Sequence, residues 1–188
     1  VASVTSICNL ALAKVGQANK IISIDENSKA ARALNTVYET VRDQCLRDHP
    51  WNFATARAQL AADVDSPAWG FTYAYTLPAD FLRLLEISDV QSQDYLVEGG
   101  KVLTDATGPL NLRYIQRVTD PNRYDALFIT MFATLLAATV SYELTQSKSL
   151  KDGLFEEYQA WRLSGKNIDG QENPPELLQD NSWLDARR

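Results

Sequence analysis

Histidine occurs once in this sequence, cysteine twice and methionine once. A zinc site would need Cys8, Cys45 and His49 to supply most of its ligands, so no metal is expected. A Ser-His or Cys-His nucleophilic pair would have to use His49. That residue sits at a helix end before Pro50 and Trp51, where imidazole suits a capping or packing role. Two cysteines are too few for a disulfide scaffold, and both fall on apolar helical faces, which predicts buried free thiols in a reducing compartment. Eight glycines and seven prolines exclude a collagen-like or linker-dominated chain. Positive charge is also scarce. Lysine and arginine total 18 against 24 acidic residues, a formal net charge of -6. A protein that grips nucleic acid by neutralising phosphates presents a basic face, so that class is disfavoured. There is no GxGxxG, P-loop, GxSxG or HExxH pattern, and no cofactor is expected.

Long apolar runs are limited to one. Residues 126–142 (ALFITMFATLLAATVSY) carry no charge, but the run is about 17 residues, the short edge of a bilayer span. It contains Thr130, Thr134, Thr139 and Ser141, and acidic residues flank it at Asp125 and Glu143. A helix buried in a protein core is expected, not a membrane span. The first residues carry no basic stretch ahead of their apolar positions, and Lys14 interrupts the first apolar run, so no export signal is expected.

What is present divides the chain into helix, strand and helix again. Val4, Ile7, Cys8, Ala11 and Val15 recur at helical spacing, with Gly16 as a stop. A second helix is predicted from Ser28, with stripe Ala31, Leu34, Tyr38, Val41 and Cys45, ending before Pro50. Phe71, Tyr73, Tyr75 and Leu77 alternate as in a strand, Phe81 to Ile87 is a second candidate, and Leu110, Leu112 and Tyr114 a further one. Two short runs flank Gly99-Gly100, the signature of a hairpin whose turn needs positive φ. Asp120-Pro121 then suits a helix start, and Ser149 to Asp152 a capped start of a fourth helix with stripe Leu150, Leu154, Tyr158 and Trp161. The fold class expected is mainly α with an inserted β region: an antiparallel helical bundle, a small antiparallel sheet and an extended C-terminal tail. The helices are placed at about 3–16, 28–48, 121–145 and 149–164, and the β-rich insertion at about 52–118. Residues 1–169 form one domain and 170–188 the tail.

Three residue groups bear on function. Asp25 with Glu26, Asp63 with Asp65 and Glu156 with Glu157 are adjacent carboxylates. Glycoside hydrolysis needs only two, one with a raised pKa, but neighbours in sequence point apart and these sit among polar residues. Trp51, Phe53, Trp69, Phe71, Tyr73 and Tyr75 gather between the second helix and the sheet, mostly as expected core residues. In the tail, Pro174-Pro175 disfavours helix, and Leu177, Leu178, Trp183 and Leu184 lack a period that would place them on the helices. Large apolar side chains of that kind call for a partner.

The blocks ICNLALAKVG (7–16), RDHPWNFAT (47–55) and YTLPADFLRLLEI (75–87), the Gly99-Gly100 hairpin followed by KVLTD, and the long helix ending SYELTQS resemble the head-to-tail adaptor family of short-tailed phages. The family is also called tail tubular protein A, and the resemblance covers nearly the whole chain in order. It implies a virion structural protein of the neck, made in the host cytoplasm, with no cofactor; members of the wider group have been linked to cell-wall cleavage, but no catalytic motif in this sequence carries that over, so no enzymatic activity is expected. It implies a homo-oligomeric ring of 12 subunits beneath the portal protein, extending the channel through which packaged DNA passes without sequence-specific binding. It assigns Pro174, Pro175, Leu177, Leu178, Trp183 and Leu184 to portal docking. The hairpin at Gly99, Gly100 and Lys101 is then the site that receives the tail nozzle or tail tube protein. Two other classes remain open from the residues: a cell-wall hydrolase acting during entry through a carboxylate pair, and a chaperone or regulatory helical domain.

Overall fold

The computed structural model describes residues 2–88 and 94–172, with side chains to residue 163. Four α-helices frame two small antiparallel sheets in the order α1 (Val4–Val15), α2 (Lys29–Asp48), β1 (Thr55–Leu60), β2 (Tyr73–Thr76), β3 (Phe81–Ile87), β4 (Tyr95–Glu98), β5 (Lys101–Thr104), β6 (Leu110–Gln116), α3 (Ala126–Thr145) and α4 (Lys148–Glu172).

The helix limits follow local chemistry. Ser3 and Ser6 cap each other reciprocally at the start of α1, satisfying two amides that have no intrahelical acceptor. Gly16 ends α1 at φ 81, a left-handed conformation that glycine adopts without strain. Ser28 Oγ accepts from Ala31 N at the start of α2. The chain turns extended at His49, as the following proline requires. The connector between α1 and α2 is held by Asn9, whose side chain exchanges two hydrogen bonds with the Ile21 backbone at 2.8 and 2.9 Å.

The third helix starts later than the sequence suggests. Asp120 and Pro121 open a short 3-10 turn over Pro121–Arg123. The α-helix begins only at Ala126, capped by Asp125. Once started, α3 is the centre of the helical unit, with α1, α2 and α4 all packed on it. Phe128, Met131, Phe132 and Leu136 are fully buried, each contributing about 1.5–3 kcal/mol. Its hydroxyls do not break the apolar character. Thr130, Thr134, Thr139 and Thr145 each donate to the carbonyl four residues back, and Ser141 to Ala138 O. A buried hydroxyl satisfied in this way avoids the desolvation penalty. The helix is long and apolar enough to cross a bilayer by composition, and its buried side is enclosed by its neighbours.

Lys29 Nζ donates to the Glu143 carbonyl, placing the start of α2 beside the end of α3. Lys14 pairs with Glu157 at 2.6 Å across α1 and α4. The Tyr158 hydroxyl donates to the Asp48 carboxylate, tying α4 to the end of α2. The fourth helix is capped by Ser147, whose Oγ accepts from Leu150 N, not by Ser149. It also runs past residue 164, through Gly165 and Gly170, to Glu172. The expected extended tail from residue 170 is thus helical for its first three residues, and its remainder lies outside the described residues.

The β region is two sheets where the sequence suggested one. The first has order β1-β6-β3 and the second β2-β5-β4. The first sheet is apolar on both faces. Leu82 and Ile115 join the helical core together with Val118, just beyond β6. Leu112 and Tyr114 join a second core with Tyr75 and Val102 of the other sheet. The layers therefore run helices, first sheet, second sheet. Register shifts between Phe81 and Arg83 and between Leu84 and Glu86 bend β3. They place Phe81, Leu84 and Ile87 toward the second core and Leu82 and Leu85 toward the helices.

Candidate docking surface

The outer layer ends in the β4–β5 hairpin. Gly99 and Gly100 have φ 56 and 76, the pair of positive values that a two-residue turn of this hand demands. Lys101 follows as the first residue of β5, opposite Glu98. Its ammonium pairs with Asp63 at 2.8 Å. Asp63 also accepts from the hydroxyl and amide of Thr76. These donors, Lys101 first, hold the Asp63 carboxyl below its ordinary pKa.

Asp63 is one of two clamps at the base of a long loop between β1 and β2. The other is Asp105, which accepts from the amide and hydroxyl of Thr72 at 2.8 and 2.7 Å. Between the clamps, the loop projects its apolar side chains into solvent: Val64 is fully exposed and Trp69 86% exposed. A groove of about 680 Å³ lies between the Trp69 loop and the hairpin. Across this groove from Trp69 stands Leu96, 48% exposed, on the edge strand β4; its neighbour Val97, 40% exposed, lies on the other face of that strand, opposite Val102. A tryptophan left this open contributes nothing to its own core, and clustered exposed apolar side chains mark interaction surfaces.

The six aromatics grouped by sequence thus divide. Trp51 and Tyr75 are buried; Phe53, Phe71 and Tyr73 are half-buried; Trp69 stands apart. The signal that would have singled it out is its setting between Pro67 and Gly70, turn residues without an alternating neighbour.

The structure brings Gly99, Gly100 and Lys101 together with Trp69. The six residues read as portal-docking (Pro174, Pro175, Leu177, Leu178, Trp183 and Leu184) lie outside the described residues. His49 is buried against the Trp51 ring at 4.8 Å. Cys8 and Cys45 are buried free thiols, and burial pushes the Cys8 thiol up to about 12 and Cys45 in the same direction. Among the described residues no group of three acidic, histidine or cysteine side chains is placed to hold a metal ion. Of the paired carboxylates, Glu26, Asp63 and Glu157 are all displaced downward by the donors around them. A general acid needs the opposite shift.

No known protein family and no curated protein matches this sequence.

Proposed function

We propose that this chain is a virion structural protein of the head-to-tail adaptor type. It would join a portal to a tail nozzle or tail tube protein as one subunit of a 12-membered ring, and packaged DNA would pass through that ring. In this reading the helices form an antiparallel bundle that carries the ring. Residues 173–188 would supply the portal-docking segment, and the second sheet would be the platform for the tail. The observation that supports it is the exposed apolar pair Trp69 and Leu96 across the groove beside the Gly99-Gly100 turn, at the opposite end of the layered fold from the helices. Such a rigid, two-ended arrangement suits a protein that must bind a different partner at each end. The net charge of -6 suits a channel wall along which phosphates slide without sticking.

The test is reconstitution with portal and nozzle proteins. Truncation after Glu172 should leave the melting temperature of the helical unit nearly unchanged while portal co-sedimentation is lost. Trp183→Ala should weaken portal binding by about 2 kcal/mol or more. Trp69→Ala should leave portal binding intact and abolish recruitment of the tail component. Retained portal binding by the truncated chain would sink the tail assignment. Complete tails on particles carrying Trp69→Ala would sink the platform. Absence of the chain from finished particles would remove the adaptor reading altogether.

A further inference from the structure

The groove between the Trp69 loop and the β4–β5 hairpin has an uneven lining. Trp69, Phe71 and Leu96 supply apolar surface. Glu98, two residues after Leu96, shares its face of β4, and Asp65 stands on the loop opposite. Both carboxylates are exposed, and no described cation lies within ion-pair distance of either. Lys101, which also lines the groove, is taken by Asp63 at 2.8 Å. The groove therefore offers apolar walls with two uncompensated negative charges at its rim. It asks for an apolar segment that carries positive charge, an unusual composition in a chain of net charge -6.

We infer that this groove takes residues 182–188 of its own chain (SWLDARR), with Trp183 and Leu184 against Trp69 and Leu96, and with Arg187 and Arg188 toward Asp65 and Glu98. These residues join two large apolar side chains to two arginines against one carboxylate, and planar guanidinium suits carboxylate. The course of the chain brings them within reach. From the end of α3, α4 arrives at the end of α2, where the Tyr158 hydroxyl meets Asp48. There the Arg47 guanidinium also donates to the Leu82 carbonyl of β3. Past Tyr158, α4 continues to Glu172, about 21 Å further, so the residues that follow set out from the sheet side of the helical unit. Residues 173–182 span about 35 Å when extended, the course that Pro174 and Pro175 favour. The second sheet lies beyond the first by the spacing of packed sheets, about 10 Å. A tether of this length raises the local concentration of the segment to about the millimolar range, enough to fill a shallow site of weak intrinsic affinity. The inference goes beyond the adaptor reading and does not rest on it, since it concerns the isolated chain. In the adaptor reading, the portal would draw the same residues out of the groove, so that the platform opens only on a seated subunit.

The experiment uses the full chain. Amide exchange over residues 64–71 and 95–98 is compared between the wild type and a variant with Trp183→Ser and Leu184→Ser, and melting curves establish that each protein is folded. Exchange in both segments should accelerate several-fold in the variant, by the same factor at every protein concentration, and stay unchanged in α1, α2 and α3. A fluorescein-labelled peptide of residues 182–188 should bind the variant about tenfold more tightly than the wild type, whose own segment competes for the groove. Adding Trp69→Ala to the variant, or Asp65→Lys with Glu98→Lys, should weaken the peptide about tenfold. A peptide with Arg187→Glu and Arg188→Glu should regain affinity for the protein carrying Asp65→Lys and Glu98→Lys, and for no other. Equal exchange in wild type and variant, equal peptide affinity for the two, or peptide binding indifferent to Trp69 and to the charge reversal would each overturn the contact. Protection that grows with protein concentration would assign the segment to a neighbouring copy, and would overturn the contact within one chain.

Discussion

The indole N–H of Trp51 donates to the carbonyl of Cys45 at 3.1 Å. Cys45 lies in the last turn of α2, four residues before the C-cap His49. Pro50 prevents the chain from continuing the helix, and the indole that follows turns back to give the Cys45 carbonyl a side-chain donor. The same ring packs edge-on against Phe128 at 5.4 Å, so one side chain closes α2 and fastens it to α3. Trp51→Phe should cost about 0.5–1.5 kcal/mol, the net worth of the hydrogen bond it loses. Trp51→Ala should cost about 3–5 kcal/mol by adding a cavity. Urea denaturation of the two variants checks the order.

Alkaline pH should destabilise the fold. Cys8 is raised from 9.0 to about 12 by burial, and burial is also the leading cause of the upward shifts of Cys45, Tyr38 and Tyr124. These groups are neutral when folded and ionise more easily when unfolded. Their contribution is complete below pH 9, where the unfolded thiol is still protonated, and is lost as pH rises toward 12. Melting temperature should therefore fall steadily above pH 9. A thiol reagent at pH 8 should label neither cysteine until denaturant is added. Rapid labelling of the native chain would contradict the burial.

At the hairpin, a Cβ on Gly99 or Gly100 would meet nothing within 4 Å. Replacing either by valine therefore costs backbone strain alone, about 1–2 kcal/mol for a left-handed residue. Helix content should be unchanged while the chain becomes less stable to denaturant. If the tip is the tail platform, Gly99→Val with Gly100→Val should still bind portal yet fail to recruit the tail.

Asp63→Asn should loosen the Trp69 loop without unfolding the protein. The variant removes the charge that Lys101 and Thr76 hold, so amide exchange over residues 64–71 should accelerate. In the wild type the same loosening should appear on acidification. The Asp63 pKa is lowered, so its clamp is present above the ordinary carboxyl value of 3.8 and is lost as pH falls below it. Exchange that is independent of both changes would mean that Asp105 alone sets the loop.

Much of this fold was legible in the residues. The α2 stripe from Ala31 to Cys45, the stop at Gly16, the strand at Tyr73 and the Gly99-Gly100 turn all stand where pattern places them. The strand expected from Phe81 to Ile87 is present as β3, although two bulges interrupt its alternation. The misses have physical causes. In β1 the inward residues are Ala56, Ala58 and Leu60, too small to show alternation. Gly165 and Gly170 disfavour helix locally, yet α4 continues through both. The surface site was half visible. The hairpin has a sequence signature, whereas Trp69 reaches the same groove only through the clamps at Asp63 and Asp105, which no local pattern records.

The first sheet belongs to both interiors at once, Ile115 facing the helices while its neighbour Tyr114 faces the second sheet. A shared wall of this kind removes any seam along which the molecule would come apart in stages. Melting one core strips support from every alternate residue of the strand that bounds the other. Heat should therefore unfold helices and sheets in one cooperative event, with equal calorimetric and van't Hoff enthalpies.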